Sequence, residues 1–277
     1  MKRACVIGWP IEHSRSPLIH GYWLKKYGIE GAYTKEAVTP EDLETFLRSL
    51  GANGFAGCNV TVPHKEAAVA IADVKDASAL AVGAANTLWL EGGKLHAANT
   101  DTYGFMTHLT VSAPGWNRRD APVSILGAGG AARAITYGFL EAGVSDVRVF
   151  NRSRERAVSL AQHFGPRVCA FDWDQRDLGS RDAGVVVNTT TLGMKGECSP
   201  GIDFKGFNLA CVAADIVYVP LETGFLKAAR TQGLKTVDGL GMLLHQAVPG
   251  FQKWFGVKPE VTSELRALIE AGIMGQT

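Results

Sequence analysis

The sequence predicts an α/β protein of two domains, and three observations support this fold class. The chain has 277 residues, close to two domains of roughly 150 residues each. Short apolar segments alternate with segments whose apolar residues recur at helical spacing, a pattern typical of strand–helix units. A segment rich in turn formers and charge, from Ser112 to Pro122, separates two runs of such units and is predicted to connect the domains.

The first run of elements covers residues 1–103. Thr39 is predicted to cap a helix with Pro40 at its first position, because a hydroxyl accepts a free amide and proline has no amide to leave unpaired. The predicted elements are a strand over 4–7, a helix over 17–27, a helix from Pro40 through Leu50, a strand over 59–62 and a helix from His64. This alternation predicts an α/β domain.

The second run of elements follows the connecting segment. Its strands are continuously apolar, which indicates a parallel sheet buried by helices on both faces, as in doubly wound Rossmann-like domains. The predicted strands cover 123–126, 147–150, 185–187 and 211–217, and the predicted helices run from a glycine cluster to about residue 142, over 155–164 and over 221–232. The residues from Leu240 onward are predicted to be helical.

Composition excludes several functional classes. The chain is 46% hydrophobic and 20% charged, which is typical of a folded globular protein, and its net charge of +1 gives no basic footprint for nucleic acid. The five cysteines include no C-x-x-C pair, so neither a disulfide framework nor a metal site is expected. No run approaches the roughly 18 apolar residues of a membrane span, and we expect a cytoplasmic protein.

A glycine-rich turn lies between the first strand and the first helix of the second domain. Gly127, Gly129 and Ala132 match the pattern G-x-G-x-x-G/A. In this pattern the first residue permits a tight turn, the second lets backbone approach a pyrophosphate, and the third allows close helix–strand packing. The helix N-terminus adds free N–H groups and a positive dipole end. The turn predicts a dinucleotide site, and a tight turn without a ligand is the alternative.

The end of the following strand indicates which dinucleotide binds. NAD sites place a carboxylate about 20 residues after the glycine turn to bind the ribose 2′-hydroxyl. Here the strand ends in Asn151 and Arg152, and Arg154 and Arg156 follow. A guanidinium matches a 2′-phosphate in charge and geometry. We therefore predict NADP, with Arg152 and Arg156 preferred over Arg154. A solvated basic helix start is the alternative.

Two pairs of polar residues in the first domain have the spacing of a strand face. Ser14 and Ser16 are two residues apart, as are Asn59 and Thr61, so each pair would point the same way from extended backbone. The serines could bind neighbouring hydroxyl or carboxylate oxygens. Equally, they could cap the helix that begins near Pro17.

A lysine, an amide and a carboxylate complete the polar inventory of the first domain. Lys65 lies at a predicted helix start, where a cation is poorly placed for stability, so it is either solvated or kept for chemistry; its neighbour His64 is expected to be structural. Asn86 and Asp101 lie in segments of small residues, as where backbone approaches a ligand. Together these groups suit a polyhydroxylated acid.

The segments that carry these residues occur in the order found in shikimate dehydrogenases, and the chain resembles that family over nearly its whole length. The resemblance implies reversible NADPH-dependent reduction of 3-dehydroshikimate to shikimate, a step of aromatic amino-acid and chorismate biosynthesis. The matching segments are SRSP (14–17), NVTVPHK (59–65), GAANT (83–87), NTD (99–101), GAGGAARA (127–134), NRSRERA (151–157), NTTTLGM (188–194), the strand end 215–220 and DGLGMLLHQA (238–247).

The resemblance also implies the limits and the binding roles of the two domains. Residues 1–103 with 240–277 would form the substrate-binding catalytic domain, with the C-terminal helices packed back on it. Residues 104–239 would form the NADP-binding Rossmann domain. We expect a monomer or homodimer whose small-molecule partner is shikimate or 3-dehydroshikimate.

Carried over position by position, the resemblance assigns Lys65 and Asp101 as the catalytic pair. The implied substrate residues are Ser14, Ser16, Asn59, Thr61, Asn86, Tyr218 and Gln246. The implied cofactor residues are Gly127, Ala128, Gly129, Gly130 and Ala131 in the phosphate turn, Asn151, Arg152 and Arg156 around the adenosine phosphate, and Thr189, Ile216, Gly239 and Met242 near the nicotinamide.

The residue types fit the chemistry of ketone reduction. An ammonium beside the ketone oxygen stabilises the negative charge that develops as hydride arrives and can donate the proton; Lys65 fits this role, with Asp101 orienting it.

One alternative is a quinate/shikimate dehydrogenase of broader substrate and cofactor use, a class that often has threonine where this chain has Ser16. A catalytically silent ligand sensor on the same fold is the other, and the presence of both Lys65 and Asp101 argues against it.

Overall fold

The computed structural model describes residues 1–117 and 121–275, and the chain divides into two compact units. Unit 1 comprises Met1–Tyr103 with Leu244–Thr277, and unit 2 comprises Gly104–Leu243. The chain passes from unit 2 back into unit 1 after Leu243, four residues beyond the domain limit expected at 239. The predicted connecting segment 112–122 includes residues 118–120, which lie outside the described part of the chain.

Unit 1 contains a mixed six-stranded sheet. Its strands are β1 (Lys2–Gly8), β2 (Gly31–Ala37), β3 (Phe55–Val60), β4 (Val74–Lys75), β5 (Thr87–Glu91) and β6 (Lys94–Ala98). Its helices are α1 (Ser16–Lys26), α2 (Leu43–Arg48), α3 (Lys65–Ile71), α4 (Ala77–Val82), the start of α5 (Thr100–Ser112), most of α10 (Gly239–Phe255) and α11 (Ser263–Met274). The strand order is β2-β1-β3-β5-β6-β4, with β5 antiparallel to both of its neighbours.

Several boundaries of unit 1 differ from the prediction. The second predicted strand, 59–62, is β3 and ends at Val60. Phe55 and residues 57–60 have partners in β1 on one side, and residues 57–59 have partners in β5 on the other. Helix α2 begins at Leu43 instead of Pro40, since the Thr39 hydroxyl accepts the Asp42 amide in a turn ahead of the helix. Strands β2, β4, β5 and β6 were not predicted from the sequence.

The C-terminal helices pack on unit 1, α10 on its sheet and α11 against α1, which confirms their predicted place. Trp254 of α10 donates its indole N–H to the carbonyl oxygen of Leu88 in β5 at 2.9 Å. Trp23 of α1 donates to the carbonyl oxygen of Glu260, between α10 and α11, at 2.9 Å. A methyl group at Gly57 of β3 would overlap both the Trp254 indole and the Leu88 carbonyl, so the indole packs directly on the bare backbone of this glycine.

Unit 2 contains a six-stranded parallel sheet. Its strands are β7 (Val123–Leu126), β8 (Val147–Asn151), β9 (Val168–Asp172), β10 (Val185–Asn188), β11 (Val212–Asp215) and β12 (Lys235–Val237). Its helices include α6 (Gly130–Glu141), α7 (Arg154–Phe164), α8 (Arg176–Gly179) and α9 (Gly224–Thr231). The strand order β12-β11-β10-β7-β8-β9 is that of a doubly wound dinucleotide-binding sheet, whose order reverses between β7 and β10. The predicted Rossmann-like fold is confirmed.

The sequence missed two strands of unit 2 and extended two elements too far. The three-residue β12 lacks an apolar run. Strand β9 (VCAFD) has a short one, but it is half-exposed, unlike the buried strands β7, β10 and β11. Strand β11 ends at Asp215, and α9 begins at Gly224, where the Thr223 hydroxyl accepts the amide of Leu226. No helix among the described residues has the length and apolarity needed to span a bilayer.

A buried carboxylate fastens the loops that follow β10 and β11. Asp215 accepts hydrogen bonds from the Asn188 amide at 2.9 Å, the Val217 backbone N–H at 3.0 Å and the Thr223 hydroxyl at 2.6 Å. Burial raises the pKa of Asp215 to about 6, and these three donors oppose the rise only in part. Asn188 in turn accepts from the backbone and side chain of Thr190. Asp215 therefore joins two loops at the carboxyl edge of the sheet.

We predict that Gly57→Ala destabilises the protein by about 3 kcal/mol, because the added methyl group overlaps the Trp254 indole and the Leu88 carbonyl in a packed core. The control is Gly21→Ala in α1, where a methyl group meets open space and should add about 0.5–1 kcal/mol of stability. Urea unfolding followed by tryptophan fluorescence measures both. Equal effects of the two substitutions would contradict the close approach at Gly57.

We predict that the stability of Asp215→Asn relative to wild type rises by about 2 kcal/mol between pH 4 and pH 7. The folded pKa of about 6 lies above that of an unfolded aspartate, so the folded state binds more protons between these values. Wild-type stability is therefore lost as the pH rises through this window, whereas asparagine, which is neutral and of the same shape, does not titrate. Urea midpoints at the two pH values measure the difference, and a pH-independent difference would disprove the shift.

Candidate active site

An ion pair between Lys65 and Asp101 forms the charged centre of the site in unit 1. Lys65 is the first residue of α3, and Asp101 lies in the first turn of α5, where the helix dipole favours a carboxylate. Lys65 Nζ lies 2.6 Å from Asp101 Oδ2. The two side chains are 31% and 17% exposed, so the pair is accessible to a small molecule while remaining partly shielded from solvent.

The Asn86 side chain orients this pair. Its Nδ2 donates to Asp101 Oδ1 at 2.8 Å and to Gln246 Oε1 at 3.3 Å. Its Oδ1 accepts the backbone N–H of Thr100 at 2.7 Å, which satisfies one of the free amides at the start of α5. Asn86 is 3% exposed. One amide therefore joins three residues predicted for the site: Asn86 itself, Asp101 and Gln246.

Asn59 lies beside this group, but its hydrogen bonds are made within the protein. Its Nδ2 donates to the Asn86 carbonyl oxygen at 3.0 Å and to Thr87 Oγ1 at 3.2 Å, and its Oδ1 accepts from the Tyr33 hydroxyl at 2.6 Å. Both amide hydrogens are thus used. Sequence reasoning missed Tyr33, because it belongs to β2, a strand with no apolar run to identify it.

The remaining predicted substrate residues of unit 1 follow β1 and β3. Ser16 is buried at the start of α1, and its backbone N–H lies 3.4 Å from Ser14 Oγ. The Ser16 side chain neighbours the Tyr33 hydroxyl, which connects it to Asn59. Thr61 follows β3, and its backbone N–H donates to Ile7 O at 3.0 Å. His64 is buried with Nε2 2.7 Å from the Val38 carbonyl oxygen, as expected for a structural histidine.

The glycine-rich turn of unit 2 leads into helix α6 as predicted. Gly127 has φ +112°, and a methyl group there would lie 2.8 Å from Thr189 Oγ1, so both backbone angle and space require glycine. Gly129 caps α6. Apart from chain neighbours and the helix's own backbone, no heavy atom of the described residues lies within 4 Å of where a Cβ of Gly129 or Gly130 would stand. The amides at the start of this 12-residue helix therefore adjoin open space, the arrangement that binds phosphate.

A cavity of about 410 Å³ lies in front of this turn. Six predicted residues line it, namely Gly129, Gly130, Ala131, Thr189, Ile216 and Tyr218. Five further residues line it that sequence reasoning did not name, namely Thr190, Thr191, Met194, Val217 and Val219. All five lie in segments that the sequence had singled out, the NTTTLGM segment (188–194) and the strand end 215–220.

Gly239 and Met242 do not line this cavity but pack near residues that do. A methyl group at Gly239 would overlap the backbone of Ile216 and Val217, so the start of α10 packs directly against the segment that lines the cavity. Met242 and Ile216 pack on the same apolar cluster. Gly127 and Ala128, also predicted for the phosphate turn, lie beside the cavity-lining residues in the chain and not among them.

The three arginines after β8 are not equivalent. Arg154 forms an ion pair with Asp172, with Nη1 2.7 Å from Oδ2. Within residues 1–117 and 121–275, the guanidinium groups of Arg152 and Arg156 have neither a hydrogen-bond nor a salt-bridge partner. Asn151 donates to the Ser153 carbonyl oxygen at 2.7 Å and so fixes the turn ahead of α7. Two cations without an ion-pair partner in the described part of the chain and the open helix N-terminus fit a dinucleotide that carries a 2′-phosphate.

The described residues contain no group of three or more His, Cys, Asp or Glu side chains placed to hold a metal ion. The polar groups of the site in unit 1 are instead hydroxyls, amides, the Lys65 ammonium and the Asp101 carboxylate. This set can donate to and accept from a ring that carries several hydroxyl groups, and its ammonium can transfer a proton.

Comparison with known proteins identifies the same two halves. The family model described as the shikimate dehydrogenase substrate binding domain matches residues 6–88. The model described as shikimate / quinate 5-dehydrogenase matches residues 112–191, and that of the shikimate 5′-dehydrogenase C-terminal domain matches residues 239–268.

Full-length relatives and solved structures agree with these matches. The chain is 56% identical over 275 residues to a shikimate dehydrogenase (NADP(+)) of Brucella canis, covering 98% of this chain and 94% of that protein. It is similar to the crystal structure of shikimate 5-dehydrogenase from Thermus thermophilus in complex with NADP(H) and shikimate, with a TM-score of 0.85 and 34% identity over 100% of both chains. It is also similar to quinate dehydrogenase from Corynebacterium glutamicum in complex with NAD, with a TM-score of 0.89 and 30% identity over 98% of this chain and 100% of that one. On its fold, its site residues and these relatives, the chain belongs to the shikimate dehydrogenase family.

Proposed function

We propose that this protein is an NADP-dependent oxidoreductase that reversibly reduces 3-dehydroshikimate to shikimate in aromatic amino-acid biosynthesis. The observation that carries this proposal is the Lys65–Asp101 ion pair, with Nζ and Oδ2 2.6 Å apart, held by the Asn86 amide. An ammonium with a carboxylate partner supplies a positioned proton donor for a ketone oxygen. The 56% identical shikimate dehydrogenase (NADP(+)) of Brucella canis supports the same reaction.

Lys65 is proposed to handle the proton. One of its three N–H groups points to Asp101 Oδ2, which leaves two for the substrate oxygen. In the reduction direction the ammonium stabilises the negative charge that develops on this oxygen and gives it a proton. Because the Lys65 side chain is 31% exposed, water can return the proton. In the oxidation direction the neutral amine accepts the proton of the substrate hydroxyl.

Asp101 and the neighbouring amides are proposed to hold the substrate and Lys65 in fixed positions relative to each other. Asp101 uses one oxygen for Lys65 and the other for Asn86, so its carboxylate plane is set from both sides. Fixing the donor in this way lowers the entropy lost on reaching the reactive geometry. We propose that Ser14, Ser16, Thr61, Gln246 and Tyr218 contribute further contacts to the substrate, with Asn59 lining the site.

The second unit is proposed to hold the cofactor. When bound, NADPH supplies the hydride and NADP⁺ accepts it in the reverse reaction. The amides of Gly129, Gly130 and Ala131 are placed for the pyrophosphate at the start of α6. Arg152 and Arg156 carry the charge for the 2′-phosphate, whereas the ion pair with Asp172 occupies Arg154.

A quinate/shikimate dehydrogenase of broader substrate and cofactor use is the second candidate. The similarity to the quinate dehydrogenase of Corynebacterium glutamicum, with a TM-score of 0.89, favours it. Ser16, where that class often has threonine, favours shikimate. Arg152 and Arg156, which have no ion-pair partner among the described residues, favour NADP. A catalytically silent sensor is opposed by the intact Lys65–Asp101 pair.

We further propose a cytoplasmic location for the protein, as a monomer or homodimer that does not bind nucleic acid. All five cysteines are free, and Cys169 and Cys198 are exposed, which suits a reducing compartment. The net charge of +1 leaves no excess of basic residues for nucleic acid.

We predict that Lys65→Ala lowers kcat by about 10³-fold and changes the KM for shikimate only a few-fold. The variant loses the proton donor while the hydroxyl and amide contacts remain. Asp101→Asn should also lower kcat strongly, because it removes the charge that pairs with Lys65. The measurement is NADPH absorbance with 3-dehydroshikimate and with shikimate, and Lys94→Ala, an exposed lysine of β6, is the control. Turnover of Lys65→Ala within a few-fold of wild type would rule out the proton role.

We predict that wild type uses NADP far better than NAD, and that Arg152→Ala raises the KM for NADP about 10- to 100-fold without changing that for NAD. The loss corresponds to charge-assisted hydrogen bonds to the 2′-phosphate. Arg154→Ala is the matched control, because Asp172 already pairs this guanidinium, and its effect on NADP should stay within about threefold.

The same kinetic assays, repeated with shikimate and quinate for both cofactors, separate the two candidate functions. Equal use of NADP and NAD by wild type would contradict the 2′-phosphate assignment. Turnover of quinate comparable to that of shikimate would favour the broader enzyme.

A further inference from the structure

The phenol of Tyr33, in β2, adjoins the polar site residues of unit 1, namely Asn59, Asn86, Asp101 and Lys65. Tyr33 is 9% exposed, and its hydroxyl donates to Asn59 Oδ1 over 2.6 Å. Burial raises the pKa of Tyr33 well above its ordinary value, and the nearby Ser16 hydroxyl opposes this rise only in part. Tyr33 therefore stays protonated and acts as a hydrogen-bond donor.

The bond from Tyr33 determines which way the Asn59 amide faces. Both hydrogens of Asn59 Nδ2 are already directed at acceptors, the Asn86 carbonyl oxygen and Thr87 Oγ1. A half-turn of the amide would place Oδ1 against the Asn86 carbonyl and Nδ2 against the Tyr33 hydroxyl. The Tyr33 donor disfavours that half-turn, because it would leave buried polar groups unpaired.

Hydrogen bonds continue from Asn59 to the ion pair without a gap. Thr87 Oγ1 lies 3.0 Å from Thr100 Oγ1, and each of these hydroxyls reaches Asn86 Oδ1, at 3.3 and 3.0 Å. Asn86 Nδ2 donates to Asp101, which binds Lys65. Tyr33 is thus the buried end of a chain that reaches the charged centre of the site.

The Tyr33 ring is itself held by aromatic packing. His20 stacks on it with ring centroids 4.0 Å apart and an interplanar angle of 13°. Burial lowers the pKa of His20 to about 3, and the Asn59 amide opposes this only in part, so His20 is neutral and packs as an aromatic ring. Trp254 lies on the same side of unit 1, with its centroid 5.9 Å from Tyr33. The phenol has little freedom to move away from Asn59.

We propose that Tyr33 is a positioning residue for substrate binding, which acts by holding Asn59 and, through Thr87, the amide of Asn86 in the orientation the substrate meets. It touches no reacting atom; its role is to remove alternative amide orientations before the substrate arrives. This inference rests on the proposed function, since it assumes that the polar site residues of unit 1 bind shikimate.

Tyr33→Phe tests the inference, because it removes only the hydroxyl and leaves the stacked ring. We expect the KM for shikimate to rise about tenfold, with kcat lowered less than threefold and the KM for NADP unchanged within twofold. Tyr22→Phe is the matched control in the same unit. It removes a hydroxyl that lies 3.2 Å from Thr262 Oγ1, away from the site, and should change none of these constants by more than twofold.

A double-substitution cycle distinguishes positioning from general loosening of the core. Thr87→Val removes the next hydroxyl of the chain and should also raise the KM for shikimate. Because Tyr33 and Thr87 both act on Asn59, Tyr33→Phe with Thr87→Val should raise the KM less than the product of the single effects. Thermal midpoints report on folding, and Thr87→Val alone tests the chain if Tyr33→Phe does not fold.

Three results would overturn the inference. The first is a KM for shikimate within twofold of wild type in Tyr33→Phe. The second is an equal rise in KM for shikimate and NADP, which would indicate loosening. The third is multiplicative effects of Tyr33→Phe and Thr87→Val, which would mean that they act independently. A wild-type protein without turnover of shikimate would instead refute the proposed function, so the two failures are distinguishable.

Discussion

The side-chain amide of Asn86 is the interaction on which the site of unit 1 depends. Its oxygen accepts the first free amide of α5, and its two hydrogens meet Asp101 and Gln246. A buried amide with every donor and acceptor in use cannot rotate without leaving a polar group unpaired. The start of α5, the Asp101 carboxylate and the Lys65 ammonium are therefore set by one group, and the energy of folding holds the charged pair ready before any ligand is present.

Unit 2 uses the same physical principle with a carboxylate in place of the amide. Asp215 takes three hydrogen bonds at the carboxyl edge of the sheet and so joins the loop after β10 to the segment that lines the cavity. Asn188 in turn accepts hydrogen bonds from the backbone and side chain of Thr190, which fixes the start of the loop after β10. In both units a buried polar group at the ends of strands positions the loops, which leaves the loop residues themselves available for ligand.

The sequence anticipated the elements whose patterns are local. The apolar strands of unit 2 and the glycine turn are recognisable without any tertiary contact, because a continuous apolar run or a turn needing glycine is written in adjacent residues. Strand β2 was missed, since its sequence GAYTKEA has no apolar run and becomes a strand only by pairing with β1. Tyr33 was missed with it. The predicted helix start at Pro40 was wrong, because the Thr39 hydroxyl accepts the Asp42 N–H in a turn ahead of the helix. A threonine hydroxyl can either cap a helix or close a turn, and the local sequence does not decide between the two.

The sequence by itself determined the fold class, the family resemblance and the kinds of groups available, because motifs and periodicity are properties of neighbouring residues. Tertiary structure decided how those groups are used. It paired Arg154 with Asp172 while leaving Arg152 and Arg156 without partners in the described chain, and it consumed both amide hydrogens of Asn59 within the protein. The physical reason is that hydrogen bonds and ion pairs form between residues distant in sequence, so whether a polar side chain is free for a ligand depends on the neighbours that folding supplies.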